Sequence, residues 1–207
     1  MRALIVTGTD TDVGKTVFAA GLAGALGARY WKPVQAGLDD GGDSARIAEL
    51  SGLPPTAIHP EVYRLATPCS PHQAAAIDGV TIDPQLLQPP AGEGPLVIEG
   101  AGGVLVPLRD DLLLADVFAR WGLPAILVAR TTLGTINHSL LSLEALRVRG
   151  VPVAGIAFVG DGNAESERII CAAGNVRRLG RLPLLAPLSR ASLSAAMAAH
   201  FDLSGLS

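Results

Sequence analysis

Gly8-Thr9-Asp10-Thr11-Asp12-Val13-Gly14-Lys15-Thr16 lies between a short apolar run at residues 3–7 and the Ala/Leu-rich segment Lys15–Leu26. The run reads as a buried strand and the segment as a helix, so the stretch is a strand–loop–helix junction. That is the context a phosphate-binding loop requires. Backbone N–H groups at a helix start, together with the positive end of its dipole, form a site for an anion. Gly14 lets the backbone come close, Lys15 is placed to reach β- and γ-phosphates, and the Thr16 hydroxyl is placed to meet Mg²⁺. Thr9 stands where the usual pattern has its first glycine, and Gly8 lies one residue earlier.

Outward from this junction, apolar runs alternate with helical stretches. Strands are expected at 28–34, 96–99, 125–129, 153–159 and 182–185, and helices at 43–50, 111–121, 137–149 and 165–173. Continuous apolar runs alternating with helices imply strands buried on both faces and crossover connections. The expected fold class is therefore α/β: a three-layer P-loop NTPase-like domain with a mostly parallel central sheet flanked by helices. A chain of 207 residues is expected to form one such domain over 1–207. Residues 54–71 and 82–95 carry nine of the 15 prolines and read as insertions.

In open parallel sheets the ligand lies outside the carboxyl ends of the strands. Polar residues expected there are Lys32 and Glu99, the latter followed by Gly100-Ala101-Gly102-Gly103. Lys32 reads equally as a surface lysine or as a group that neutralises phosphate. An acid after an apolar strand is a usual place for a carboxylate that positions a metal. Asp43, after Gly41-Gly42, reads locally as a helix N-cap. Thr135 or Asn137 reads as the cap of the helix after the 125–129 strand.

Composition narrows the function classes. The net charge is −3 with no basic run, which argues against nucleic acid as a partner. Arg177-Arg178 with Arg181 reads as a solvated helix end. Cys69 and Cys171 are far apart, as expected of reduced thiols, and the four histidines form no zinc-spaced cluster. No segment has the ~18 apolar residues of a membrane span, and the N-terminal run is too short for a signal peptide. A cytoplasmic location without membrane contact is expected.

The phosphate loop, Lys32-Pro33-Val34-Gln35, Ser70-Pro71-His72, Glu99-Gly100-Ala101-Gly102-Gly103 and Leu133-Gly134-Thr135-Ile136-Asn137-His138 together resemble the dethiobiotin synthetase family, in order and over most of the chain. The resemblance implies closure of the ureido ring of dethiobiotin from 7,8-diaminononanoate, CO₂ (or bicarbonate) and ATP or another nucleoside triphosphate. An amine captures CO₂ as a carbamate, its oxygen attacks the γ-phosphate, and the second amine closes the ring and expels phosphate. By the same resemblance Lys15, Lys32 and Thr11 are catalytic, and Thr16, Asp43 and Glu99 hold Mg²⁺. Nucleotide contacts fall to Asp12, Val13, Gly14, Lys15, Thr16, Val17, Asp43, Glu99, Gly100, Ala101, Gly102, Val159, Gly160, Pro183, Leu184 and Leu185. Substrate contacts fall to Ala36, Gly134, Thr135, Ile136 and Asn137. The family is a homodimer, with the 134–137 loop near the substrate carboxylate bound by the other subunit.

Two departures bear on specificity. Ala36 replaces the family's Ser or Thr and removes one hydrogen bond to substrate. Val159 replaces an asparagine that reads adenine in many members, which implies loose selectivity among bases. Three rivals are weighed. An amide-forming synthetase of the cobyrinic acid diamide type carries a glutaminase domain, for which this chain is too short. A partition-type ATPase has a lysine where Asp10 stands. An inactive homologue that only binds has Ala36 and Val159 as its support.

Overall fold

The computed structural model describes residues 3–38 and 41–206. The elements in order are β1 (Ala3–Gly8), α1 (Lys15–Leu26), β2 (Arg29–Trp31), β3 (Val34–Ala36), α2 (Asp43–Ser51), a 3₁₀ turn (Pro55–Ala57), β4 (Ile58–His59), β5 (Tyr63–Leu65), α3 (Pro71–Ile77), β6 (Leu96–Gly103), β7 (Pro107–Arg109), β8 (Leu112–Leu113), α4 (Leu114–Trp121), β9 (Ala125–Arg130), α5 (Thr135–Val148), β10 (Val153–Val159), α6 (Ala164–Ala173), β11 (Arg178–Leu182) and α7 (Arg190–His200). Seven strands form one sheet in the order β11-β10-β9-β1-β6-β2-β4, and every pairing in it is parallel.

The three layers follow from the strand period of two. Leu4 and Val6 of β1 face one core with Phe18 and Leu22 of α1, Ile47 of α2 and Leu193 of α7. Ile5, between them, faces the other core with Phe118 of α4, Leu143 of α5 and Ile170 of α6. β1 lies at the centre, between β9 and β6. From β1 the chain lays down β2 and the edge strand β4, returns with β6 between β1 and β2, and then builds β9, β10 and β11 outward on the other side. The carboxyl end of β1 is therefore where loops diverge and a cleft opens.

Several boundaries differ from the sequence reading, each for a local reason. The strand expected at 28–34 breaks at Lys32-Pro33, because Pro33 has no N–H to give the ladder. The Pro33 carbonyl instead accepts from the Val62 and Tyr63 N–H groups, and β3 pairs with β5 in a separate two-stranded ribbon. The proline-rich 54–71 segment is not only an insertion: its Ile58–His59 is the edge strand of the main sheet. The strand expected at 96–99 continues through Gly103. The helix expected from 111 begins at Leu114, because Leu112-Leu113 pair with β7 and the Asp116 carboxylate accepts the Leu113 N–H at 2.9 Å. The last strand is Arg178–Leu182, not 182–185. Arg177 and Arg178 are thus not at a helix end; they pair with Asp202 and Glu167 beside and within β11. Among the described residues, no helix is long and apolar enough to cross a membrane.

α1 crosses the end of α2 at glycine. A Cβ on Gly24 would stand 2.5 Å from the Ser51 carbonyl oxygen, and one on Gly21 would stand 2.7 Å from the Met197 Cγ. In an open helix Gly→Ala stabilises by up to ~1 kcal/mol. Here Gly24→Ala meets fixed backbone, and overpacking costs ~1–3 kcal/mol. Gly24→Ala is expected to lower Tm by ~3 °C or more, while Gly21→Ala, facing a movable methionine, changes it less. Thermal unfolding followed by circular dichroism checks the order; a raised Tm for Gly24→Ala means the helices do not meet as described.

Candidate functional site

The residues that close the cleft come from the loop after β1, the end of β2 and the middle of β6. Sheet register aligns them: Val6 pairs with Glu99 on one side of β6, and Trp31 pairs with Ile98 on the other. One step past Trp31 the chain presents Lys32 beside Glu99. Tyr30, Lys32 and Glu99 all project to the face that carries α1, two-residue steps apart along their strands.

The loop before α1 turns through left-handed backbone at Asp12 (φ 55°) and Gly14 (φ 88°). Gly14 is required on two counts, since a Cβ there would also stand 2.8 Å from the Val159 Cγ1. Lys15 bends back over the loop and its ammonium donates to the Asp10 carbonyl oxygen at 2.7 Å. Burial pushes the Lys15 ammonium down to about 8, against the pull of Glu99. A phosphate laid in the loop would supply a counter-charge that raises it again. The Asp10 carboxylate pairs with Arg130 of β9 at 2.9 Å, joining the loop to the neighbouring strand.

Glu99 is fully buried and receives three donors, from α1 and from β2 with its end. The Thr16 hydroxyl donates to its Oε1 at 2.7 Å, the Tyr30 hydroxyl to its Oε2 at 2.8 Å, and the Lys32 ammonium approaches Oε1 at 3.5 Å. Lys32 also forms an ion pair with the Asp43 carboxylate. Lys32 is 3% exposed, so it is not the surface lysine that was one of its two sequence readings. Burial opposes its charge, but Glu99 and Asp43 more than offset this and hold its pKa above the usual lysine value. Burial and the Glu99 charge push the Tyr30 phenol well above its ordinary range, so it remains a donor.

Asp43 is the first residue of α2, and Gly42, not Asp43, is the N-cap. Its backbone N–H is satisfied by the Gln35 Oε1 at 3.0 Å, and Gln35 in turn donates to the Gly37 carbonyl oxygen at 3.0 Å. The Asp43 carboxylate is thereby left to face Lys32.

A cavity of about 730 Å³ covers these groups, and Thr11, Asp12, Gly14, Lys15, Thr16, Val17, Lys32, Ala36, Asp43, Glu99, Ala101 and Gly102 line it. The sequence reading did not single out as site residues Gln35, Pro68, Cys69, Ser70, Pro71 and Val106, which line it too. Nor did it single out Tyr30; stepping back two residues from Lys32 along an extended strand was the available signal. Other expected residues stand apart. Val13 is in the core beneath the loop. A Cβ on Gly100 would stand 2.9 Å from Phe118 of α4, so close packing there requires glycine. Val159 and Gly160 lie at the end of β10, with Pro183, Leu184 and Leu185 just past the end of β11. Gly134 caps α5 with φ 93°, whereas Thr135 or Asn137 was expected to, and the Thr135 hydroxyl donates to the Arg130 carbonyl oxygen at 2.5 Å. Gly134, Thr135, Ile136 and Asn137 do not line the main cavity. They stand at the start of α5, which walls a second cavity of about 430 Å³ between the phosphate loop, residues 103–107 and His138, Leu141, Ser142 and Ala145.

A family model described as an AAA domain matches residues 2–192. The ATP-dependent dethiobiotin synthetase BioD of Afipia carboxidovorans is 65% identical over 202 residues, 97% of this chain and 96% of that protein. The protein of that name from Novosphingobium aromaticivorans is 60% identical over 201 residues, 97% of both chains. Among solved structures, the cell division ATPase MinD of Pyrococcus furiosus superposes with a TM-score of 0.59 at 14% identity, covering 95% of this chain and 89% of that one. A ParA family ATPase from Chlorobium tepidum gives 0.56 at 15% identity, covering 96% and 92%. These two likenesses share the fold alone, while the near-complete match at 60–65% identity carries the assignment: this chain belongs to the ATP-dependent dethiobiotin synthetase family.

Proposed function

We propose that this chain, working as one domain over 1–207, closes the ureido ring of dethiobiotin from 7,8-diaminononanoate, CO₂ and ATP in biotin biosynthesis. The observation that carries the reading is the convergence of Lys15, Lys32, Thr16, Asp43 and Glu99 on one cavity wall. Phosphoryl transfer needs positioning and charge neutralisation more than a nucleophilic side chain. The polyphosphate lies along the loop under Lys15. Lys32 faces the transferring phosphoryl group, where it neutralises charge as the carbamate oxygen forms its bond to the γ-phosphorus and the nucleoside diphosphate leaves. The second amine then attacks the activated carbonyl and inorganic phosphate departs. Thr11, Ala101 and Gly102 shape the substrate side.

The Thr16 hydroxyl and the Asp43 and Glu99 carboxylates suit Mg²⁺, which takes hard oxygen donors, one or two carboxylates at a time, and completes its shell with phosphate oxygens and water. When bound, the ion would supply positive charge that offsets the negative charge of the phosphates. Homodimerisation is supported by Leu105, Leu133, Ile136 and Leu141, large apolar side chains exposed around the second cavity and the start of α5. A partner covering them would bring the 134–137 loop to a substrate carboxylate at that helix start.

The nucleotide base is read loosely. Val159 offers no hydrogen bond and packs on Gly14. The Gly160 carbonyl oxygen already accepts from Arg181 at 2.9 Å, and the Asn163 side chain caps α6. ATP, CTP and GTP are expected to give kcat/KM values within ~100-fold of one another, since wider discrimination needs ~2.7 kcal/mol of base-specific contact. A steeper preference for ATP, measured with each nucleotide under the same diamine concentration, contradicts this.

The reaction is tested by phosphate release with Mg²⁺, bicarbonate and ATP, with and without the diamine. Release that requires the diamine, with dethiobiotin identified by mass spectrometry, is expected. Lys15→Ala should abolish turnover. Lys32→Ala should lower kcat by ~10²–10³-fold while nucleotide still binds. Diamine-independent release rejects the reaction, and an unchanged kcat for Lys32→Ala rejects that residue's role.

A further inference from the structure

We propose that Tyr30 is a positioning residue that divides the two oxygens of Glu99 and thereby makes the site favour Mg²⁺ over Ca²⁺. The inference rests on the nucleotide and cation arrangement proposed above. Tyr30 lies in β2, fully buried, with its ring in the core beneath α1 and its hydroxyl on Glu99 Oε2 at 2.8 Å. The donors that face the cavity, Thr16 and Lys32, both address the other oxygen, Oε1. Glu99 is fully buried, so bulk water is not at hand to replace a missing donor. The carboxylate therefore presents a single oxygen to the cleft, and its plane is fixed from behind.

That geometry has a consequence for cation choice. Mg²⁺ requires near-octahedral coordination and takes few protein oxygens, whereas Ca²⁺ accepts six to eight ligands and readily takes a carboxylate through both oxygens. With Oε2 held by Tyr30, Glu99 can offer only one. Packing alone does not need the hydroxyl: a phenylalanine would fill the same space in the core. The hydroxyl's role is thus separable from the ring's.

Tyr30→Phe separates them. ATP affinity is measured by calorimetry with Mg²⁺ and with Ca²⁺, for the wild type and the variant. The ratio of Ca²⁺-supported to Mg²⁺-supported affinity is expected to rise about ten-fold, the scale of one hydrogen bond to a charged group. Under Mg²⁺, kcat should fall while KM for the diamine stays within about two-fold, because the substrate side is untouched. A ratio that does not move overturns the proposal. If Tyr30→Phe does not fold, fluorinated tyrosines decide: the chain has two tyrosines, so on a Tyr63→Phe background they report Tyr30 alone. The Ca²⁺/Mg²⁺ ratio should then change steadily with phenol acidity, and a flat series overturns the role. Failure of the wild type to release phosphate on adding the diamine rejects the reaction instead, and leaves the ATP-binding ratios to judge Tyr30.

Discussion

A carboxylate with no access to bulk water, midway along the central strand β6, is the constraint on which the site depends. Removing an ionised group from water is costly unless donors replace the lost hydration. Glu99 meets that condition with a helix-start threonine, a strand tyrosine and a strand-end lysine. The donors come from two segments, α1 and β2 with its end, so the first turn of α1, the register of β2 and the break at Pro33 must all be correct together. Removing any one donor leaves a buried charge short of partners, which costs more than an ordinary exposed hydrogen bond.

The fold was legible because its signals are long and periodic. The apolar run 3–7 and the glycine-rich loop before Lys15 specify a strand entering a helix, and repetition of that alternation specifies a parallel sheet. The misread parts are short and depend on distant partners. Ile58–His59 is only two residues long and becomes a strand because β2 offers a free edge. Leu112-Leu113 reads as helix by apolarity, but β7 captures it.

The site was legible to the extent that function follows from strand ends. Lys15, Thr16 and Glu99 were read as site residues by position, whereas Lys32 read equally as a surface lysine and only the family resemblance assigned it to the site. Asp43 was not legible by position either: its local context, after two glycines, indicates a cap. Only Gln35, eight residues earlier, supplies the group that satisfies the helix N–H and leaves the Asp43 carboxylate to face Lys32. Tyr30 was missed because a buried tyrosine in an apolar strand reads as core, and only the register with β6 brings its hydroxyl against Glu99.

The likeness to MinD and ParA ATPases shows how little of this chemistry the fold itself dictates. The chemistry of this cleft lies in its charge arrangement. Lys32 lies between Asp43 and Glu99, so it acts as an internal counter-cation for two carboxylates. Lys15 is meanwhile held against the Asp10 carbonyl oxygen. In the proposed reaction both cations are thereby held near where phosphate oxygens would lie. Less reorganisation is then needed when the reacting groups arrive, which is the condition under which fixed charges lower a barrier.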